Sequence, residues 1–298
     1  MTSEHIDQWH EVVFQNECYK RQGMSFQGFF EEIMRKHDSS FVAIKPSGKE
    51  GDWKSDGFSY KTGTCYQVYA PDSSKVVDAI DKINEDFQGA QSRWNSKMKG
   101  WIFVYAIVDR VPPQIQNTIF EIRDCNKHLT IDVWGRESLW KIVKSLDIND
   151  RNILLRPFPS QQALTETRME DIKQLIDYLL IQETQIEAPD DLQLLEIGEK
   201  ITKNNLQAVY ELIKNGTGVA RLVAWYTGRH PTPNVDKKIS ALLVDQYKKL
   251  SQSSPDNQAM IFLGLVNYVQ NQHHTEKATW AAVGIVSYYF QICDIFEK

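Results

Sequence analysis

The sequence predicts an α/β unit followed by an all-helical one, and three observations carry that reading. Short apolar runs of strand length alternate with amphipathic helical patterns up to about residue 150. One of them, Trp101-Ile102-Phe103-Val104-Tyr105-Ala106-Ile107, is apolar throughout, as a central strand covered on both faces should be. Beyond Thr167 the period is helical and no convincing strand appears. The expected organisation is an α/β domain over residues 1–150, a linker at 151–166 and an all-helical domain at 167–298.

Taken in order, residues 5–22 read as a helix with Ile6, Trp9 and Val13 inward, stopped by Gly23. A second helix starts near Ser25, a plausible N-cap, and sets Phe26, Phe29, Phe30, Ile33 and Met34 on one stripe. Phe41–Ile44 is a strand, ended by Pro46-Ser47-Gly48. Gly51–Phe58 forms a tight turn that opens a second strand, and Thr62-Gly63 turns the chain into a third, Thr64–Ala70. A helix follows over 74–87, with Asp72, Asp78, Asp81, Glu85 and Asp86 mostly on its wet side. After the apolar strand, Pro112-Pro113 opens a helix, Leu129–Trp134 is a strand, and Glu137–Leu146 is a short helix.

Residues 151–166 hold two prolines and no period, hence the linker. Helical patterns then cover about 167–183, 190–202, 204–214, 219–228, 233–252, 256–272 and 275–296, with Gly216-Thr217-Gly218 reading as a C-cap and restart. The last helix, with Trp280, Tyr288, Tyr289 and Phe290, is expected at the centre of this domain.

Composition narrows the function classes. The chain is 42% hydrophobic and 24% charged with a net charge of −5, so any nucleic-acid surface has to be a local basic patch. Lys45, Lys49, Lys54 and Lys61, then Arg93, Lys97 and Lys99, are the candidates, though scattered lysines also suit plain solvated surface. Four dispersed cysteines form no CxxC pair and no zinc-spaced cluster. The N-terminus lacks a signal-peptide pattern and no apolar run is long enough to span a bilayer, which points to a cytoplasmic protein. No Walker A, GxGxxG or GxSxG sequence is present.

The residues that carry chemistry lie in the turn and hairpin. Asp56 on the second strand and Gln67 on the third would meet at one end of a sheet, and oxygen donors gathered this way suit a hard divalent cation. A surface hairpin with a polar turn accounts for the same spacing.

The order helix, strand, Gly-Asp-x-x-x-Asp-Gly turn, hairpin, Gln-x-aromatic strand, helix, strand, helix, strand resembles the PD-(D/E)XK nuclease fold over residues 20–146. Within it, the likeness is to Mrr-type and related phage-defence nuclease domains. This resemblance implies a restriction-endonuclease-like core, a mixed central sheet flanked by helices. It implies metal binding by Asp56, Gln67 and the carbonyl of Val68, with Glu31 and Asp52 as helpers and Mg²⁺ or Mn²⁺ as the ion. Two positions depart from the pattern: Tyr69 stands where the family has its catalytic Lys, and Gln27 where it has a helix Glu. Tyrosine cannot supply the positive charge that offsets developing negative charge, so Lys54 is the candidate for a displaced lysine.

The C-terminal stretch resembles the helical tails of ABC-ATPase-associated three-component defence proteins at Tyr288, Tyr289, Phe290, Cys293, Asp294, Ile295 and Phe296. It implies a module that docks a protein partner, such as an ABC-type ATPase component, or drives homo-oligomerisation. Together the two likenesses imply a metal-dependent, DNA-acting effector of prokaryotic anti-phage defence. Its catalytic set would be Asp56, Gln67, Lys54 and Tyr69, with Lys45, Lys49 and Lys61 on the nucleic acid. The alternative is a catalytically inactive DNA-binding or adaptor subunit on the same fold.

Overall fold

The computed structural model describes residues 3–45, 53–71, 75–106, 111–184, 197–253, 257–273, 275–292 and 295–297. The chain divides into two compact units, Glu17–Arg156, and Met1–Asn16 together with Pro157–Lys298. Asp52, Lys49, Pro46-Ser47-Gly48, Ile107, Cys293 and Asp294 lie outside the described residues.

The first unit holds a five-stranded sheet in the order β1 (Phe41–Ala43), β2 (Gly57–Ser59), β3 (Thr64–Tyr69), β4 (Gly100–Tyr105), β5 (Thr130–Trp134). β1–β2 and β2–β3 are antiparallel, whereas β3–β4 and β4–β5 are parallel, so the sheet is mixed. The hairpin turns at Gly63, whose φ of +66° and approach to the Lys97 carbonyl, 3.0 Å from a notional Cβ, leave room for glycine alone. Parallel neighbours need crossovers. Helices α3 (Val76–Trp94) and α4 (Pro113–Cys125) supply them.

β4 is buried along its whole length, as its unbroken apolar run predicts. On one face Cys65, Trp101, Phe103 and Ile131 pack with Ile83 and Phe87 of α3 and Ile115 and Ile119 of α4. Elsewhere in the unit Phe30 of α2 (Gly23–His37), Phe41 and Tyr66 form a triangle of rings with centroids 5.8–6.0 Å apart. The α2 stripe Phe26, Phe29, Phe30, Ile33 and Met34 is buried as its spacing predicts. The helix nevertheless begins at Gly23, with extended Gln22 at the N-cap, so Ser25 sits inside the first turn. Helix α5 (Arg136–Ser145) follows β5 and buries Leu139, Trp140 and Val143.

The expected linker is largely helical. α6 (Ile148–Leu155) is capped by Asp147, whose carboxylate accepts from the Asp150 amide, and α7 (Gln161–Glu166) by Ser160. Pro157 and Pro159 stand between two helices too short to show a period, which explains the reading as coil.

Helix α1 (Ser3–Lys20) begins in the helical unit, not in the α/β unit where residues 1–150 were expected together. Its periodicity revealed a helix but not the partner of its apolar face. Trp9 meets Phe158 edge-on at 5.3 Å, and Phe158 in turn meets Trp280 at 6.2 Å. The unit continues with α8 (Met169–Leu180), α9 (Ile197–Lys203), α10 (Tyr210–Thr227), α11 (Val235–Ser253), α12 (Gln258–Gln270) and α13 (Glu276–Ile292). α13 packs against α7, α8, α10 and α12, and Trp280, Tyr289 and Phe290 are fully buried. These aromatics are interior, so they offer no surface to a partner.

Gly216-Thr217-Gly218 does not divide two helices: α10 runs through it. A Cβ at Gly216 would lie 2.6 Å from Ser287 Oγ and 2.7 Å from Val283 Cγ1, and one at Gly284 would strike Val219. Both glycines therefore serve the close approach of α10 and α13, which outweighs their poor helix propensity, about 1 kcal/mol each. Residues 295–297 are fastened as well. Asn204 donates to the Glu297 carbonyl and accepts from its amide, both at 2.8 Å, while Phe296, at φ +65°, is buried beside Tyr247, Phe262 and Phe290. No helix among the described residues is long and apolar enough to cross a membrane.

The glycine contact predicts that Gly284→Ala lowers stability by about 1–3 kcal/mol through overpacking. Chemical denaturation should read this as a lower midpoint with an unchanged slope. An unchanged midpoint would mean the helices separate freely at this point.

Candidate functional site

Asp56 is the residue that ties three strands together. Its amide donates to the Tyr66 carbonyl at 2.8 Å, and its own carbonyl accepts from the Ile44 amide at 2.9 Å. Its carboxylate Oδ2 accepts from the Val68 amide at 2.7 Å. The side chain thus continues the β2–β3 ladder beyond Gly57, where the backbone of β2 has already turned away. The register pairs Gly57 with Tyr66, and Asp56, the residue before, gives its amide to that same Tyr66, so that its carboxylate reaches Val68, the residue after Gln67.

Both side chains are buried, Asp56 at 7% and Gln67 at 6% exposure. Gln67 Oε1 has no hydrogen-bond partner among the described residues. A buried amide oxygen left in that state costs about 1–3 kcal/mol, so an unsatisfied acceptor beside a carboxylate fits the donor set of a hard cation. Among the described residues, no group of three or more His, Cys, Asp or Glu side chains gathers in a way that could hold a metal ion. The candidate donors are therefore one carboxylate, one amide and main-chain oxygen.

The other residues singled out from the sequence fall in different places. Tyr69 follows Gln67 on the same face and stacks on Phe103 and Tyr105, with centroids 5.6 and 6.2 Å away. Glu31 on α2 accepts from Gln27 at 3.3 Å and from Arg35 at 3.2 Å. Lys45 is exposed just after Ile44, at the Asp56 end of the strands, whereas Lys61 is exposed in the hairpin at the far end of β2. Arg93, Lys97 and Lys99 are exposed too, and Lys99 donates its amide to the Gly63 carbonyl at that same far end.

Lys54 is held elsewhere. Its ammonium lies 2.5 Å from Glu85 and 3.3 Å from Asp86, both on α3. The hydrogen bond that the ammonium donates to Glu85 first, and the charge of Asp86, hold the Lys54 pKa above its ordinary range despite partial burial. Trp53 and Lys54 both take left-handed backbone, at φ +55° and +57°, in a turn that folds onto α3. There Trp53 meets Trp94 edge-on at 5.5 Å, and the Lys54 stem lies over Gly89, whose notional Cβ would sit 2.6 Å from it.

Asp86 is the residue the sequence reading misplaced. It is fully buried, not on the wet side of α3, and also binds Lys82 at 2.8 Å. The signal was present in the period: Ala79, Ile83, Phe87 and Ala90 form the buried stripe, and Asp86 falls between Ile83 and Ala90 on it. Two cations on its rim make that burial tolerable.

Residues 170–297 match the family model of C-terminal domain 10 of the ABC-three component (ABC-3C) systems. This likeness agrees with the expected protein partners and is consistent with a defence-related role. Searches of curated proteins and of solved structures return no match.

The contrast between the two carboxylates on Lys54 is testable. Asp86→Ala should cost about 1–3 kcal/mol, because a buried, charge-assisted cluster is lost while its lysines can still reach water. Glu85→Ala, which removes an exposed partner, should leave the denaturation midpoint nearly unchanged. Because the Lys54 value is raised, its contribution is complete below the ordinary lysine range. It fades only as pH climbs through the raised value, so both results should hold across neutral pH.

Proposed function

We propose that the chain is a subunit of a multi-component defence system whose α/β unit acts on DNA. In this reading Asp56 and Gln67 hold a divalent cation, Mg²⁺ or Mn²⁺, and the site hydrolyses phosphodiester bonds. The observation that carries it is the buried, unsatisfied amide oxygen of Gln67, next along β3 to the Val68 amide that the Asp56 carboxylate binds. The strand order, two antiparallel pairings followed by two parallel ones, supports it, since the nuclease likeness implies a mixed sheet with the acid and amide on adjacent strands.

A cation bound there would polarise a phosphoryl oxygen and acidify a water. The chain's own contributions are separate. The Val68 amide orients the Asp56 carboxylate, and burial excludes competing water from both donors. Val68 offers its carbonyl as a third oxygen. Lys45, exposed at the same end, supplies charge for a phosphate, with Lys49 and Lys61 as further candidate contacts to the nucleic acid. Tyr69 can donate a hydrogen bond but no positive charge, so hydrolysis should be slow. Asp52 and Glu31 serve as auxiliary carboxylates in this proposal.

One observation favours a second reading, a DNA-binding or adaptor subunit without hydrolysis. Lys54, the candidate replacement for the missing catalytic lysine, is committed to Glu85 and Asp86.

Supercoiled plasmid incubated with the purified chain and Mg²⁺ or Mn²⁺ separates the two. The nuclease reading expects nicking that EDTA abolishes and that Asp56→Ala reduces by about 100-fold or more. Tyr69→Lys should return the missing charge and raise the rate by about 10–100-fold. Intact plasmid in every case, beside a metal-independent and salt-sensitive gel shift that survives Asp56→Ala, would establish the adaptor instead.

A further inference from the structure

We propose that the exposed face of α10 is a docking surface for an acidic amphipathic helix of a protein partner. This rests on the partner-binding part of the proposed function and names the surface and the chemistry of its occupant. Tyr210, Lys214, Arg221, Leu222, Trp225 and Arg229 are all exposed. At 3.6 residues per turn the first five fall within an arc of about 120°, along a stripe about 22 Å long, and Arg229, two residues past the end of the helix, lies over the Trp225 ring. Trp225 is 50% exposed and Tyr210 40%, although aromatic side chains of this size are usually well covered. The whole stripe lies inside the segment that matches the three-component domain.

Charge selects the occupant. Lys214, Arg221 and Arg229 form no ion pair among the described residues, and the chain as a whole carries −5. Half-buried Glu211 shares the arc, and the three exposed cations outnumber it, so the stripe is a local cationic surface with apolar anchors; Trp, Tyr and Arg are the side chains that most often dominate binding energy. A second copy of this face would set like charges against each other. A nucleic acid would need open rings to stack on, but Arg229 already covers the Trp225 ring at 4.7 Å and Lys214 approaches the Tyr210 ring at 5.6 Å. An acidic helix needs no open ring: its carboxylates meet the three cations while its apolar side chains meet Leu222 and the ring edges.

Gly218 is an independent pointer to the same surface. It sits at the middle of the stripe, and a Cβ built there meets nothing within 4 Å. Gly216, two residues away, is explained by its approach to α13, whereas Gly218 has no such neighbour within the fold. A mid-helix glycine is unfavourable, so its place in the stripe is explained by close approach of a partner's backbone.

The test uses the full chain and the other proteins of its own three-component system, with affinity measured by biolayer interferometry. Arg221→Glu with Arg229→Glu should weaken the complex by about thirty-fold or more, and raised salt should weaken the wild-type complex in the same direction. Gly218→Leu should also weaken binding while raising Tm, a pairing that mere loss of fold cannot produce. Unchanged affinity in both variants overturns the surface and leaves the partner reading standing. No wild-type complex overturns both. Binding of a labelled single-stranded oligonucleotide that the charge reversal abolishes, with protein binding intact, assigns the stripe to nucleic acid and overturns the acidic helix.

Discussion

The candidate site in the α/β unit depends on one hydrogen bond, from the Val68 amide to the Asp56 carboxylate. Inside a sheet, a strand amide with no acceptor is costly, and β2 is only three residues long. Asp56 supplies the acceptor that the next backbone carbonyl of β2 would otherwise have provided. In doing so it fixes a carboxylate at the entry of β2, against the residue that follows Gln67. Its own amide and carbonyl bind Tyr66 and Ile44, so the same residue sets the spacing of β1 and β3. A carboxylate held in this way is oriented before any ligand arrives, which is the condition for binding a cation or a phosphate without reordering the strands.

The preceding turn obeys a different constraint. Trp53 and Lys54 occupy left-handed backbone without being glycine, which costs about 1 kcal/mol or more each. What offsets this is the grip of α3 on both side chains: Trp94 against Trp53, and Asp86 with Glu85 against Lys54. The lysine nearest in sequence to the site is thus used to hold the turn. Tyr69, on the same face as Gln67, is packed against Phe103 and Tyr105 in the manner of a core aromatic. The tyrosine at the position of the pattern's lysine and the lysine nearest to replace it are therefore both built into the packing.

In the helical unit the determining contact is between α10 and α13, where Gly216 and Gly284 let two helices approach closely. That approach buries the aromatic face of α13 and turns the opposite side of α10, with Trp225 and Tyr210, outward. The buried Lys200 is satisfied in the same unit by the Phe290 carbonyl at 2.7 Å, near the C-terminal end of α13.

The sequence by itself determined the elements whose signal is local. The β4 run, the α2 stripe, the hairpin and the order of strands and helices follow from apolar period and turn residues, and Asp56 and Gln67 could be singled out from the turn and strand that carry them. Tertiary structure decided whatever depends on a partner distant in the chain. Whether Gly216-Thr217-Gly218 ends a helix or lets one pass depended on Val283 and Ser287, some seventy residues away. Whether Asp86 met water depended on Lys54 in a turn about thirty residues earlier. The start of α1 joined the helical unit because Phe158 covers Trp9. A period reports which face of an element is apolar, but burial of a charge, a glycine or a helix end is settled by what reaches it across the fold.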